Sequence, residues 1–298
     1  MSEIRAIEIE ANGLAFRCLE EGSGPLVLCL HGFPDHAWTF RHQLAAFSER
    51  GFRVVAPFMR GYVPTAVPAD GRYQSAVLAQ DAAALIDALG ARRAILVGHD
   101  WGATAAYATA VLFPEKIDKL VTIAVPYGPA LRDAMIHDPA QQKRSWYMYL
   151  FQTALGEAAL ADDDFALIDR LWHDWSPGWT PPPGYLDTLK RSFRQPGVPL
   201  AALTYYRQSF RRDLQDPALA ELQAQIGRAP VGVPTLYLHG VNDGCIAAAF
   251  ADAMTPLFTA GLRSATVSDA GHFAHLERPD EVNRAIAEFI AMTPNRLP

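Results

Sequence analysis

The 298 residues include only three cysteines, Cys18, Cys29 and Cys245, an odd number spaced far apart. That set is no disulfide framework, and without a C-x-x-C pair it gives no sign of zinc or redox chemistry. Cys29 sits in an apolar run, where a thiol serves as a small hydrophobe. No stretch of about 18 apolar residues could form a membrane span. Lys and Arg number 26 against 32 Asp and Glu, for a net charge of −6, and they are scattered. A basic footprint for nucleic acid or an anionic membrane is therefore missing. The start, Met1-Ser2-Glu3-Ile4-Arg5, lacks the basic-then-apolar pattern of a signal peptide, so the expectation is a soluble cytoplasmic protein. No G-x-S-x-G occurs anywhere, which removes a serine esterase from consideration.

Half the residues are hydrophobic and 19% are charged, ordinary for a chain that buries a sizeable core. Leu26-Val27-Leu28-Cys29-Leu30, Arg53–Ala56, Ala94–Val97 and Leu120–Ala124 are short apolar runs, as expected of buried parallel strands. Leu78, Ala82, Leu85, Ile86 and Leu89 fall on one helical face between two of them, with Gly90 as a stop. This alternation through the first 124 residues predicts a parallel sheet with helices on both faces. From about 126 to 230 the texture becomes helical and aromatic, with four of the six tryptophans (Trp146, Trp172, Trp175, Trp179) and a break at Pro181-Pro182-Pro183-Gly184. Strands resume at Val233–Leu238 and at Ala265-Thr266-Val267, and a last helix starts at Pro279. The expected organisation is an α/β core of residues 1–125 and 231–298, with residues 126–230 inserted as a helical cap.

Gly98-His99-Asp100-Trp101-Gly102 follows a predicted strand and precedes a helix rich in alanine. By itself it could be a helix-capping Asp in a glycine-flanked turn. Its context, however, resembles the strand–turn–helix nucleophile elbow of the α/β hydrolases, with Asp replacing Ser. A serine must first lose a proton, whereas a carboxylate is already anionic at neutral pH and can attack a saturated carbon. The product is an alkyl ester of the enzyme, and water activated by a histidine must then hydrolyse it.

Partners for that chemistry lie where such a fold places them. His31-Gly32-Phe33-Pro34 ends the first apolar strand, so the backbone N–H groups of Phe33 and Trp101 are the expected oxyanion hole. Ala270-Gly271-His272-Phe273 follows the last strand and puts forward His272, among nine histidines, as the base. His99 and His239, in or beside strands, are expected to pack or orient. Asp243, after the strand that follows the cap, is the acid expected to orient His272, with Asp269 as the rival. Asp243 could alternatively cap a short helix.

Together these segments resemble the epoxide hydrolases of the α/β-hydrolase superfamily, over essentially the whole chain. In that family two cap tyrosines protonate the epoxide oxygen as the ring opens. Trp146-Tyr147-Met148-Tyr149-Leu150-Phe151 and Leu203-Thr204-Tyr205-Tyr206-Arg207 look like the two segments concerned, which places the acids at Tyr147 and Tyr206, with Tyr149 and Tyr205 as alternatives. The resemblance implies a pocket lined by His31, Pro34, Trp38, Tyr149, Phe151, Tyr205 and Phe273. It implies a small apolar epoxide and water as reactants, and neither cofactor, metal, nucleic acid nor membrane. Oligomeric state is left open.

One departure stands out. Where the family usually has R-G-Y-G-x-S, this chain has Arg60-Gly61-Tyr62-Val63-Pro64-Thr65, which puts the pocket edge in doubt. Haloalkane dehalogenases share the Asp and the following Trp but commonly carry Asn at the position of Phe33, whose side chain cannot donate to a halide. Fluoroacetate dehalogenases carry Arg where Trp101 stands. A non-catalytic ligand-binding protein on this fold is the rival of another class.

Overall fold

The computed structural model describes residues 3–292; Met1, Ser2 and residues 293–298, which include part of the start considered above and the end of the second core segment, lie outside them. Eight strands form one sheet: β1 (Arg5–Ala11), β2 (Leu14–Gly22), β3 (Leu26–Leu30), β4 (Arg53–Pro57), β5 (Ala94–His99), β6 (Ile117–Ile123), β7 (Thr235–Gly240) and β8 (Leu262–Val267). Their order is β1-β2-β4-β3-β5-β6-β7-β8. From β4 to β8 every pairing is parallel.

The mostly parallel sheet expected is observed, and its first two strands add an antiparallel hairpin that the apolar runs did not mark. β1 and β2 form an antiparallel hairpin, and β2 then pairs antiparallel with β4. The turn is Asn12-Gly13, both at positive φ, which is the backbone demanded by a tight hairpin between right-twisted strands. β1 is a half-exposed edge strand, so its apolar pattern is diluted and weak as a sequence signal.

The central strands are buried on both faces, and their side chains divide between two cores. Leu26, Leu28 and Leu30 of β3 point into one, and Val27 and Cys29 into the other, following the two-residue period of a strand. On the first face lie α2 (Ser75–Ala88) and α3 (Trp101–Leu112), and on the second α1 (Arg41–Ser48) and the C-terminal α13 (Pro279–Ala291). The alanines of α3 are buried nearly all round, so this helix lies close to the sheet.

Between β6 and β7 all regular structure is helical. The elements are α4 (Ala130–His137), α5 (Pro139–Arg144), α6 (Trp146–Leu150), α7 (Leu155–Trp175), α8 (Tyr185–Phe193), α9 (Val198–Phe210) and α10 (Ala220–Gln225), with short 3-10 turns before α10. Non-helical backbone at Asp162–Phe165 divides α7 into two segments. Past β7 come α11 (Ala251–Met254) and α12 (Ala274–Glu277). The aromatic residues of α6, α7 and α9 bury against the first core and cover the carboxyl ends of β3 and β5.

Candidate active site

Asp100 occupies the turn between β5 and α3. Its φ of 53° with ψ of −119° is a conformation that non-glycine residues rarely adopt, costing roughly 1–3 kcal/mol. Such strain persists only where the surroundings dictate it. Here a Cβ at Gly102 would sit 1.8 Å from the carbonyl oxygen of Leu30, so the tight approach of α3 to β3 requires glycine. The turn thereby presents the Asp100 carboxylate at the carboxyl end of the sheet.

The carboxylate is nearly buried, and its two oxygens face different groups. Oδ1 accepts the Phe33 N–H at 2.7 Å. Oδ2 stands 3.6 Å from His272 Nε2. The Trp101 N–H lies close to the same loop, 2.6 Å from the position of a Cβ on Gly32. Phe33 contributes its amide here, while its ring is packed edge-on against Phe151, Phe193 and Tyr206.

His272 has its other nitrogen, Nδ1, 2.9 Å from Asp243 Oδ2. Asp243 is itself held: its Oδ1 accepts the N–H groups of Cys245 at 2.7 Å and Ile246 at 2.9 Å. Thus Asp243 braces its own loop while its other oxygen faces His272; the short helix that follows, Ala248–Phe250, is preceded by Ala247 and not capped by Asp243. His239 Nε2 lies 3.2 Å from Asp243 Oδ2, and His99 Nε2 donates to the His272 carbonyl at 2.9 Å. Asp269 is exposed and makes no contact with His272 among the described residues.

The electrostatics follow from burial and charge. Burial opposes protonation of His272, but Asp243 and Asp100 outweigh it and push the imidazole pKa up to about 10. Burial also works against ionisation of Asp243, yet His272 and His239 hold it well below the usual carboxylate range. His99, buried beside them, is depressed to about 3 and stays neutral.

Tyr147 and Tyr206 come from α6 and α9 and meet above Asp100, with ring centroids 5.6 Å apart. Both are fully buried. Burial first, and then Cys245 for Tyr147 and Asp100 for Tyr206, raises both phenols well above the ordinary value, which keeps them protonated. The Tyr147 hydroxyl lies 3.3 Å from Cys245 Sγ. The Tyr206 hydroxyl lies beside the Trp101 indole N–H and is otherwise without a hydrogen-bond partner among the described residues. Tyr206 stands edge-on to Trp101 at 4.9 Å, and the two line a cavity of about 790 Å³ that reaches Asp100. Thr104, Met148 and Ile246 share its inner wall.

Several expected pocket residues lie elsewhere. Tyr149 is exposed and donates to the Met135 carbonyl at 2.9 Å, and Tyr205 donates to the Arg60 carbonyl at 2.7 Å, so both alternative acids have their protons committed to backbone. Successive residues of a helix are rotated by about 100°, which is why Tyr206 faces the cavity and Tyr205 does not. Trp38 is exposed and does not line the cavity. His31 uses both ring nitrogens to brace its own loop, on Gly32 O at 3.0 Å and Met59 N–H at 2.9 Å. Pro34 offers its carbonyl to Trp172 Nε1, Phe273 stacks on the Trp172 ring at 3.7 Å, and Phe151 packs behind Tyr147 and Tyr206. These four support the site without lining the cavity.

The structure adds residues that the motifs did not single out. Glu277 accepts hydrogen bonds from the loop of His272; its only sequence signal is a Glu just before a helix-starting Arg-Pro. Asp243, Cys245 and His272 bring oxygen, sulfur and nitrogen donors within 4.8 Å of one another, a set that could face a metal ion. Those atoms are already engaged with one another, with Tyr147 and with backbone amides.

Comparison with known proteins places the chain in a family. The sequence matches the family described as alpha/beta hydrolase fold over residues 25–279, and so defines the protein as a member of that class. Epoxide hydrolase 3 of Xenopus tropicalis is 33% identical over 293 residues, covering 95% of this chain and 77% of that protein. Epoxide hydrolase 4 of Homo sapiens is 30% identical over 293 residues, covering 95% and 78%. A variant epoxide hydrolase from Bacillus megaterium, solved with its diol product, superposes with a TM-score of 0.83 at 28% identity, covering 96% of this chain and 100% of that one. The chain belongs to the epoxide hydrolase family of the α/β-hydrolase superfamily.

Proposed function

We propose that this protein hydrolyses an epoxide to a vicinal diol through a covalent ester on Asp100. The observation that carries the reading is the unequal environment of the Asp100 oxygens. Oδ1, held by the Phe33 N–H, is suited to become the ester carbonyl oxygen. Oδ2 remains as the attacking atom. It displaces the ring oxygen from one carbon, while Tyr147 and Tyr206 both hydrogen-bond that oxygen and one of them gives it its proton, since it is a poor leaving group unaided.

Hydrolysis follows. Ester formation removes the charge of Asp100, and with it part of what keeps His272 protonated. The imidazole, oriented by Asp243, becomes a base able to take a proton from water that attacks the ester carbonyl. Amides of Phe33 and Trp101 stabilise the resulting oxyanion. The proton that His272 held at rest passes to the tyrosinate, the proton it takes from water restores the imidazolium, and the second proton of that water goes to the departing alkoxide as collapse expels the diol and restores Asp100. Bonds made and broken balance with epoxide and water alone, so no cofactor enters. In this reading residues 126–230 are the cap and residues 1–125 and 231–298 the core.

A second reading has one observation in its favour. The Trp101 indole N–H stands beside Asp100 and Tyr206 on the cavity wall and could donate to a halide leaving group. Phe33 offers no second side-chain donor, and the two buried phenols fit an oxygen leaving group better. Intact-protein mass of His272→Gln mixed with panels of epoxides and haloalkanes separates the readings. A gain equal to the whole epoxide, lost in Asp100→Asn, supports epoxide hydrolysis. A gain equal to the haloalkane less its hydrogen halide makes the protein a dehalogenase. No adduct across a broad panel favours a binding protein.

A further inference from the structure

The C-terminal end of α7 meets both loops that carry the Asp243–His272 pair. The carbonyl oxygen of Trp175 accepts two amides, Gly244 N–H at 3.1 Å and His272 N–H at 3.0 Å. A single cap carbonyl thereby ties the acid loop to the base loop. The approach is close: a Cβ on Gly244 would lie 1.9 Å from the Asp174 carbonyl oxygen, and one on Gly271 2.5 Å from Ser176 Cα. The Trp175 ring also stands edge-on to the His272 ring, with centroids 5.1 Å apart.

Glu277 closes the same corner from the core. Its Oε1 accepts the Ser176 hydroxyl at 2.6 Å and the Phe273 N–H at 3.0 Å, and its Oε2 accepts the Gly271 N–H at 2.7 Å. All three amides of Gly271-His272-Phe273 are therefore held, the outer two by one carboxylate and the middle one by the cap. Hydrogen bonds to an ionised acceptor are about twice as strong as neutral ones, so this carboxylate is a stiff anchor.

We propose that Glu277 and the Trp175–Ser176 corner position His272, so that the seated cap sets the water-activating step as well as supplying the ring-opening acids. The proposal rests on the two-step covalent reading above. Glu277 touches no reacting atom; it acts through the loop. Its loss slows hydrolysis of the Asp100 ester and spares ester formation, which uses Asp100 and the tyrosines.

The test compares full-length Glu277→Gln, Glu277→Asp and Ser176→Ala with wild type, using rapid quench and intact mass with styrene oxide. For Glu277→Gln the ester should accumulate and kcat should fall on the order of 10- to 100-fold, as displacement of a catalytic group by about 1 Å does. Ester formation should stay close to the wild-type rate, with partial rescue by Glu277→Asp and a smaller effect of the same kind in Ser176→Ala. A parallel fall in both half-reactions with a lowered Tm overturns the proposal, because Glu277 would then be merely structural, and so does unchanged hydrolysis. A second readout needs no substrate: the downfield proton resonance of His272 Nδ1–H, assigned by its loss in His272→Gln, should shift or broaden in Glu277→Gln and Ser176→Ala. If it does not move, the clamp is refuted even should the wild type open no epoxide. Absence of both turnover and ester in the wild type sinks the covalent reading instead, and the resonance alone then decides the clamp.

Discussion

His272 Nε2 stands 3.6 Å from Asp100 Oδ2, just beyond hydrogen-bond reach, while its Nδ1 lies 2.9 Å from Asp243 Oδ2. One imidazole is thus placed between two carboxylates of unequal grip. In the mechanism proposed above, the firm contact sets the tautomer and orientation of the ring, and the loose one leaves Asp100 free to react.

The first prediction concerns charge. Asp243 and Asp100 together raise His272 to about 10, so Asp100→Asn, which imitates the uncharged ester, should lower it. Titration of the His272 ring protons by NMR checks this, and an unchanged pKa would remove the switch from resting acid to working base. The linked effect on stability has a definite sign. A folded-state pKa above the unfolded value of about 6.5 gives stabilisation that is complete below that pH and is lost as pH rises through the folded pKa. The Tm advantage of wild type over His272→Gln should therefore shrink between those limits.

Asp243→Asn keeps an oxygen for the Cys245 and Ile246 amides but can set an NH2 group against His272. Ester hydrolysis should slow by roughly 10²- to 10⁴-fold, with the ester accumulating, as expected when a histidine loses its orienting acid. Single-turnover quench reads the two half-reactions separately. Equal slowing of ester formation would contradict the role given to Asp243.

Tyr147→Phe and Tyr206→Phe should each slow ester formation, with up to roughly 10²- to 10⁴-fold at stake in general-acid catalysis. Tyr149→Phe and Tyr205→Phe should leave that step near wild type, because their hydroxyls bond to carbonyls of Met135 and Arg60. Loss of the buried Tyr205 bond should instead lower stability by about 1 kcal/mol, read by denaturant unfolding. The reverse pattern of rates would reassign the acids.

Gly102→Ala places a methyl group 1.8 Å from the Leu30 carbonyl oxygen, where backbone cannot yield easily. Stability should fall by about 1–3 kcal/mol, a typical cost of overpacking, and Asp100 should lose its alignment. Thermal unfolding and turnover of the same variant test both parts; a fully stable, fully active Gly102→Ala would show that the elbow is looser than its geometry.

Much of this was legible in the chain itself. Apolar runs marked the central strands because strands buried on both faces must be apolar throughout, and the glycine-flanked Asp100 marked the elbow because a sharp strand-to-helix turn tolerates little else. The hairpin β1–β2 was not legible, since an edge strand buries one face and carries a diluted pattern. Nor was the choice among neighbouring tyrosines, for which helical phase matters and a local motif does not specify where a helix faces.

The sequence by itself determined the fold class, the Asp nucleophile candidate and the order of its partners, because those depend on local turn chemistry and on the burial of contiguous segments. Only the tertiary structure decided which side chains enter the cavity, which merely brace it, and that Trp175, Ser176 and Glu277 converge on His272. Trp175 and Ser176 lie about a hundred positions from the loop and the carboxylate they meet, and distances of that kind are set by how the helices after β6 pack on the sheet, not by any pattern along the chain.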